Sequence, residues 1–198
     1  MKSRNLPTVT TVTVIDSNVS ARKAQLRDAA LRYLLKNGVA NFSLRPMAAA
    51  LGTSARILMF HFESKEGLLK EVFTELQRRM VDSFSELASN PDLDDGSPIE
   101  RFWAWAIARK NAPYLRLSYE AQIIALQNPK EYGSYLRDAS KGWQEAALHA
   151  LLPPLKNDEM ATLCIGVFDG LFLEFMSTGD GPRLTRALEK FVALANSS

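Results

Sequence analysis

The chain of 198 residues is 46% hydrophobic, which suffices for one larger domain, or for an ordinary domain plus a small one, and excludes wholesale disorder. Its single cysteine excludes an internal disulfide and indicates a reducing cytoplasm, and its two histidines lack metal-ligand spacing, so neither a metal site nor a cofactor is expected. The net charge of +2 is unevenly distributed. Residues 1–80 contain 13 Lys and Arg and 6 Asp and Glu, a net charge of +7, whereas residues 81–198 contain 11 Lys and Arg and 16 Asp and Glu, a net charge of −5. A basic first part favours contact with a polyanion, although chance clustering on solvated helix faces would give the same balance.

The amino-terminal residues predict an arm followed by a helix. Residues 1–20 are β-branched and polar and lack the cleavage pattern of a signal peptide, so we interpret them as a flexible arm. From Ser20, apolar residues recur at three- and four-residue spacing until Asn37 and Gly38 provide a stop signal. No apolar run reaches the roughly 18 residues that span a bilayer, so no membrane association is expected.

Two short helices joined by a glycine turn come next. Ser43 is a good N-cap for the first, and Gly52 ends it because glycine adopts the left-handed conformation without a Cβ clash. Thr53 or Ser54 caps the second short helix, and Ser64 caps a longer helix after it. This arrangement predicts a helix-turn-helix, and in its DNA-binding versions the second helix lies in the major groove.

The rest of the chain predicts helices alone. A loop at residues 89–98 precedes five helices, which are expected at residues 98–111, 113–127, 133–152, 157–178 and 182–196. No strand periodicity or internal repeat is evident. We therefore predict an all-α chain of about nine helices, with a flexible arm (1–20), a three-helix domain with the helix-turn-helix (21–66) and a C-terminal helical bundle (67–198).

Side chains around the second short helix are candidate DNA contacts. Arg56 could pair with guanine O6 and N7, and Thr53 and Ser54 could reach phosphates or bases. Lys65 lies at a helix N-terminus, where a phosphate is favoured. Further contacts to the DNA backbone could come from Arg22, Lys23, Arg27 and Arg45. The apolar residues Ile57, Leu58 and Phe60 are expected mostly to hold the short helix on its neighbours.

The stretch SLRPMAAALGTSARILMFHFESKEGLL, residues 43–69, resembles the DNA-binding segment of the TetR family of bacterial repressors. The matching positions are Ser43, Leu44, Met47, Ala48, Gly52, Ser54, Leu58, His61, Phe62, Ser64, Lys65, Glu66, Leu68 and Leu69. The sequence departs from the family at Met59, where a tyrosine is usual, and at Arg56, where a small residue is common. These departures concern the preferred DNA sequence more than the fold.

The resemblance implies a cytoplasmic, homodimeric transcriptional repressor that binds a palindromic operator on double-stranded DNA. A small molecule in residues 67–198 would move the helix that starts at Ser64 and change the separation of the two recognition helices. His61 would be a phosphate or packing residue, since no nucleophile partner for a catalytic role is visible. The candidate DNA-binding residues are Ser43, Arg45, Thr53, Ser54, Ala55, Arg56, Phe60, His61 and Lys65.

Two other classes remain open. One is an all-α small-molecule-binding protein or enzyme in which the helix-turn-helix is only scaffold, and the other is a helical interaction protein that acts through apolar C-terminal stripes. Neither accounts for the basic first 80 residues, and no catalytic constellation is present in the sequence. We therefore do not expect an enzyme.

Aromatic residues of the middle helices are candidates for an apolar ligand pocket, and core packing is the alternative for each of them. They are Phe102, Trp103, Trp105, Tyr114, Tyr119, Trp143, Phe168 and Phe172. Arg109, Glu120 and Asp169 could be buried polar anchors, but spacing does not select among them.

The last two helices carry apolar stripes that suit a four-helix bundle between two subunits. Gly166 and Gly170 would let another helix approach closely. The candidate interface residues are Ile165, Gly166, Gly170, Phe175, Leu184, Leu188 and Phe191. The alternative is that these stripes face their own domain. Cys164, on the same helix, is expected to be a small buried apolar residue.

Overall fold

The computed structural model describes residues 9–40, 42–90 and 97–196, and within them the chain forms nine α-helices and no strand. The all-α prediction is therefore confirmed. The helices are α1 (Val9–Asn37), α2 (Leu44–Ala50), α3 (Ala55–Phe62), α4 (Lys65–Ser89), α5 (Pro98–Ile107), α6 (Ala112–Gln127), α7 (Pro129–Ala150), α8 (Asp158–Thr178) and α9 (Gly181–Ala195).

Helix α1 begins at Val9, inside the segment that was predicted to be a flexible arm. The arm prediction is wrong for residues 9–20, and its remainder, residues 1–8, lies outside the described residues. No glycine or proline interrupts residues 9–37, and β-branched residues lower helix propensity by less than about 1 kcal/mol each. Such residues weaken a helix but do not terminate it.

Two later boundaries also differ from the prediction. Helix α5 ends at Ile107, several residues before the expected end at 111. Helix α7 begins at Pro129 and not at 133, because proline is well suited to the first helical position, where its missing N–H is not needed.

Serine caps and a glycine turn set the geometry of α2, α3 and α4. Ser54 and Ser64 each accept a hydrogen bond from the backbone N–H three residues later, at 3.2 and 2.8 Å. Ser43 occupies the N-cap of α2 without a side-chain bond. Gly52 has φ +64°, which lets the chain leave α2 and enter α3. The predicted helix-turn-helix is thus formed.

A continuous hydrophobic core joins the first three helices to the remaining bundle. Leu34 of α1 and Leu58 of α3 belong to the same buried cluster as Phe73 of α4 and Trp103 of α5. Helix α4 packs against α1, α3, α5, α6 and α7. Helix α3 is therefore attached to the bundle through α4.

A buried carboxylate reinforces the contact between α1 and α4. Glu75, 4% exposed, accepts hydrogen bonds from Arg78 at 2.8 Å and Arg79 at 2.7 Å, and it lies 3.4 Å from Arg27 of α1. Arg79 also pairs with Asp28 of α1 at 3.1 Å. The Arg78 hydrogen bond is the main reason that the pKa of Glu75 falls from 4.5 to about 2, against the opposing effect of burial.

This network predicts a specific acid sensitivity. Because the folded-state pKa of Glu75 is depressed, its contribution is complete above pH 4.5 and is lost as the pH falls towards 2. We expect that loss to be about 2 kcal/mol, less than the full shift implies because the arginines reach solvent. Urea unfolding at several pH values should show it in the wild type and not in Glu75→Gln. The exposed Glu86→Gln on the same helix is the control, and equal pH dependence in all three proteins would contradict the prediction.

Candidate DNA-binding surface and ligand cavity

Helix α3 has a buried face and an exposed face. Leu58 and Phe62, four residues apart, are buried against the neighbouring helices. Arg56, Ile57, Met59 and Phe60 are exposed, with Ile57 at 43% and Phe60 at 73%. The expectation that Ile57 and Phe60 mostly hold α3 in place is therefore wrong, because Leu58 and Phe62 perform that role.

Cationic and hydroxyl side chains of the helix-turn-helix and of the start of α4 are exposed. They are Ser43, Arg45, Ser54 and Lys65, and the Lys65 ammonium lies 5.2 Å from the Phe42 ring centroid. The Ser54 hydroxyl caps α3, which leaves its remaining hydrogen-bonding capacity at the start of the helix. These positions suit contacts with phosphates around a groove-bound helix.

Several predicted DNA contacts have other roles in the structure. Lys23 forms an ion pair with Glu71, and Arg27 belongs to the Glu75 network. The Thr53 hydroxyl oxygen is buried, so it does not reach the surface. Lys23, Arg27 and Thr53 therefore have roles inside the protein. Two further candidates, Ala55 and His61, are half-buried, and the His61 ring centroid lies 5.1 Å from that of Phe60.

An aromatic cavity of about 220 Å³ lies among α4, α5, α6, α7 and α8. Five of the eight predicted ligand residues line it: Phe102, Tyr119, Trp143, Phe168 and Phe172. Residues of α4 and α7 that the sequence did not single out complete the wall, among them Gln77, Met80, Phe84, Tyr135 and Ser140. The spacing of Met80, Phe84 and Tyr135 is the same as that of ordinary core residues, and Gln77 and Ser140 are common polar residues, so no sequence signal distinguished them.

The other three predicted ligand residues do not line the cavity. Trp103 is 2% exposed, its ring stacks on Phe172 with centroids 5.3 Å apart, and its indole N–H donates to Thr185 at 2.8 Å. Trp105 and Tyr114 are half-buried outside the lining. Trp103 is therefore a core residue adjoining the cavity wall, which corrects its prediction.

One carboxylate lies in the cavity wall. Asp169 is the single acidic or basic side chain in the described lining, and the Tyr119 hydroxyl donates to its Oδ1 at 3.1 Å. Burial raises the pKa of Asp169, while the Tyr119 hydrogen bond opposes that rise. Asp169 is exposed to solvent, so it lies at the open edge of the cavity, where a carboxylate beside aromatic rings is suited to a cationic ligand. Of the three candidate anchors, Asp169 alone lines the cavity, whereas Glu120 contacts Val39 just after α1 and Arg109 lies outside the lining.

Cys164 also lines the cavity and is buried, as expected. Burial raises the pKa of its thiol. A raised pKa disfavours the reactive thiolate, so the residue contributes packing to the wall.

Helix α6 connects the cavity with the DNA-binding part. Tyr119 lines the cavity, whereas the neighbouring Glu120 carboxylate accepts from the Val39 backbone N–H at 2.8 Å, just after α1. Arg116 of α6 donates to the carbonyl of Leu35 in α1 at 2.9 Å. A displacement of α6 by a ligand would therefore act on the end of α1.

The predicted dimer residues divide between the outside and the inside of the chain. Gly166 and Gly170 are exposed, with open space where a Cβ would lie. Leu184 and Leu188, at 2% and 1% exposure, lie in the chain's own core, which corrects their prediction. Ile165 lines the cavity, and Phe175 and Phe191 are half-buried. The exposed apolar side chains of α8 and α9 are Leu163, Leu173, Met176 and Leu194.

Helix α8 is unusually apolar on both sides. Among the described residues, it is the one helix whose length and composition would allow it to cross a membrane. Phe168 and Phe172 face the cavity, whereas Leu163 and Leu173 are each 57% exposed. The apolar composition is thus explained by an inner face on the cavity and an outer face that no described residue covers.

Comparison with known proteins identifies relatives of both parts of the chain. Residues 26–72 match the family model of bacterial regulatory proteins of the tetR family. A nicotine-responsive transcriptional repressor of the helix-turn-helix type, HdnoR of Paenarthrobacter nicotinovorans, is 25% identical over 178 residues, which are 82% of this chain and 87% of HdnoR.

Solved structures share the fold. The multidrug binding protein EbrR in complex with ethidium is similar with a TM-score of 0.63 and 21% identity, covering 85% of this chain and 97% of EbrR. Its complex with malachite green has a TM-score of 0.58 at 23% identity, covering 85% and 96%. The likeness therefore extends from the helix-turn-helix through the carboxyl-terminal bundle.

Proposed function

We propose that this chain is a TetR-family transcriptional regulator, and that it is a cytoplasmic, homodimeric repressor that an aromatic cation releases from a palindromic operator. The family consists of transcription factors and not of enzymes. The observation that carries the proposal is the pairing of an exposed recognition helix with an aromatic cavity that contains one carboxylate.

The cavity supports the choice of ligand class. Aromatic rings provide stacking surface and cation–π attraction, and Asp169 provides the one formal charge among the described lining residues. HdnoR responds to nicotine, and EbrR has been solved with ethidium and malachite green, which are aromatic cations. A positively charged aromatic molecule matches both features of this cavity.

The outer face of α8 supports the homodimer. Gly166 and Gly170 leave a shallow surface between Leu163 and Leu173 on the same helix. A second α8 packed there, together with α9 of each subunit, would form a four-helix bundle and remove the exposed leucines from water. Such a dimer presents two copies of α3 to successive major grooves.

Helices α4 and α6 provide the switch. Both line the cavity, α4 continues from the recognition helix through Ser64, and α6 holds the end of α1 through Glu120. Ligand binding releases the operator only to the extent that the ligand binds the released arrangement more tightly.

Selection of bound genomic fragments by the purified protein at two salt concentrations tests this function. We expect enrichment of one palindrome whose half-sites lie about 34–36 Å apart, with an affinity that falls steeply as salt increases.

Arg56→Ala should weaken operator binding by about 1–3 kcal/mol with unchanged folding, because Arg56 is exposed on α3. The exposed Arg109→Ala, outside α1 to α4, is the matched control. A folded protein that enriches no site, with or without Arg56, would contradict the proposal and leave the helix-turn-helix as scaffold.

A further inference from the structure

The exposed face of α3 is mostly apolar. Arg56, Met59 and Phe60 lie on one side of the helix because residues three and four apart share a face, and the exposed Ile57 lies beside Phe60, three residues before it. Three of the four are large and apolar, and Phe60 is among the most exposed apolar side chains of the described chain, at 73%. Packing inside the protomer does not account for them, since Leu58 and Phe62 already hold the helix.

The charges around this face indicate what covers it. Arg56 lies on the same face as the apolar side chains, and residues 1–80 carry a net charge of +7. Burying an arginine against an apolar protein partner would incur a large desolvation penalty. A polyanion that offers apolar groups between its charges satisfies both features, and duplex DNA does so in its major groove.

We propose that α3 reads the 5-methyl groups of thymine, with Phe60 as the principal contact. This inference rests on the proposed function and specifies the base chemistry that the recognition helix selects. Among base edges in the major groove, thymine alone presents an apolar group. Phe60 and Ile57 have no hydrogen-bonding atom in their side chains and Met59 has only a weak acceptor, so these residues gain from methyl contact and not from polar base edges.

The spacing on α3 predicts where these thymines lie. Arg56 and Phe60 are four residues apart, which places their Cβ atoms about 5–6 Å from each other on the helix surface. That distance corresponds to one or two base steps along the duplex. We therefore expect each half-site to contain a thymine within about two base pairs of the guanine contacted by Arg56.

Single thymine-to-deoxyuridine replacements in the selected operator test the inference, because they remove the methyl group and preserve base pairing. Removal of one contacted methyl group should raise the dissociation constant about fourfold, as expected when the burial of one such group is lost. In Phe60→Ala, replacement of one particular thymine should no longer weaken binding. A double-mutant cycle between that thymine and Phe60 isolates the contact from general effects on DNA shape.

Ile123→Ala is the matched control, since Ile123 is an exposed apolar residue of α6, outside the helix-turn-helix. It should retain the full deoxyuridine effect. Thermal melting should confirm that Phe60→Ala is as stable as the wild type, because the side chain is exposed.

The possible results separate the two proposals. Operator binding that is indifferent to every deoxyuridine, or a deoxyuridine effect that persists unchanged in Phe60→Ala, overturns the methyl inference alone. A protein that binds no operator overturns both the methyl inference and the proposed function.

Discussion

Replacing Trp103 with alanine should lower the free energy of unfolding by about 3–5 kcal/mol, the range for loss of a large buried aromatic side chain. The indole is 2% exposed, stacks on Phe172 and meets Phe175 edge-on with centroids 6.2 Å apart. Its N–H also donates to Thr185, so the substitution leaves both a cavity and an unpaired hydroxyl. Urea unfolding followed by circular dichroism at fixed protein concentration measures the loss.

Two comparisons make the Trp103 result specific. Thr185→Val removes the hydrogen-bond partner and keeps the ring, so it should cost about 1 kcal/mol. Trp105→Ala, at a half-buried position, should cost less than Trp103→Ala. If Trp103→Ala kept full stability and lost ligand affinity instead, the residue would belong to the cavity wall and its assignment to the core would be wrong.

Replacing Asp169 with asparagine should weaken the binding of an aromatic cation by roughly 10- to 150-fold, which corresponds to about 1.5–3 kcal/mol for an interaction with a charged group. The reason is that Asp169 is the single charged side chain in the described cavity lining. Titration of the purified protein with ethidium, followed by fluorescence, measures the change. An uncharged aromatic of similar size should bind the wild type and Asp169→Asn equally well.

The same carboxylate predicts how cation binding depends on pH. Burial raises the pKa of Asp169, so the residue loses its charge at a higher pH than an ordinary aspartate does. Cation affinity should therefore fall as the pH drops through that raised pKa, and the affinity for the uncharged aromatic should not. The Tyr119 hydrogen bond lowers the pKa of Asp169, so Tyr119→Phe should move the fall to higher pH. A cation affinity independent of both Asp169 and pH would show that the carboxylate does not face the ligand.

The helix-turn-helix could be predicted because its signals are local. Serine caps and Gly52 act through backbone groups within three or four residues, and the structure shows Ser54, Ser64 and Gly52 in those roles. Such interactions depend little on the rest of the chain, so the sequence contains the information that they need.

The sequence did not predict in the same way which apolar side chains face the core and which face solvent. Leu58 is buried and Ile57 is exposed, although both are aliphatic and adjacent. On α8 and α9 the sequence favoured Leu184 as an interface residue on the outside of the chain. In the structure Leu184 is buried, whereas Leu163 is exposed. When both sides of a helix are apolar, periodicity alone does not indicate which side meets the core.

Polar contacts between residues far apart in the sequence could not be predicted either. Glu120 bonds to the backbone of Val39, and Tyr119 bonds to Asp169 fifty residues away. Spacing in the sequence contains no information about such pairs. The structure was therefore required to select Asp169 among the candidate anchors.

The two faces of helix α8 would affect the ligand concentration at which such a sensor responds in a cell. Its inner face carries Phe168 and Phe172 in the cavity, with Asp169 at the exposed edge of that cavity. Its outer face carries Leu163 and Leu173, where we place the second subunit. If a ligand and a second subunit both bind against this helix, the two affinities would be linked, and each binding event would change the other by the same factor. The dose that triggers a response would then vary with the number of copies of the protein. A repressor that controlled its own synthesis would in that way adjust its own threshold.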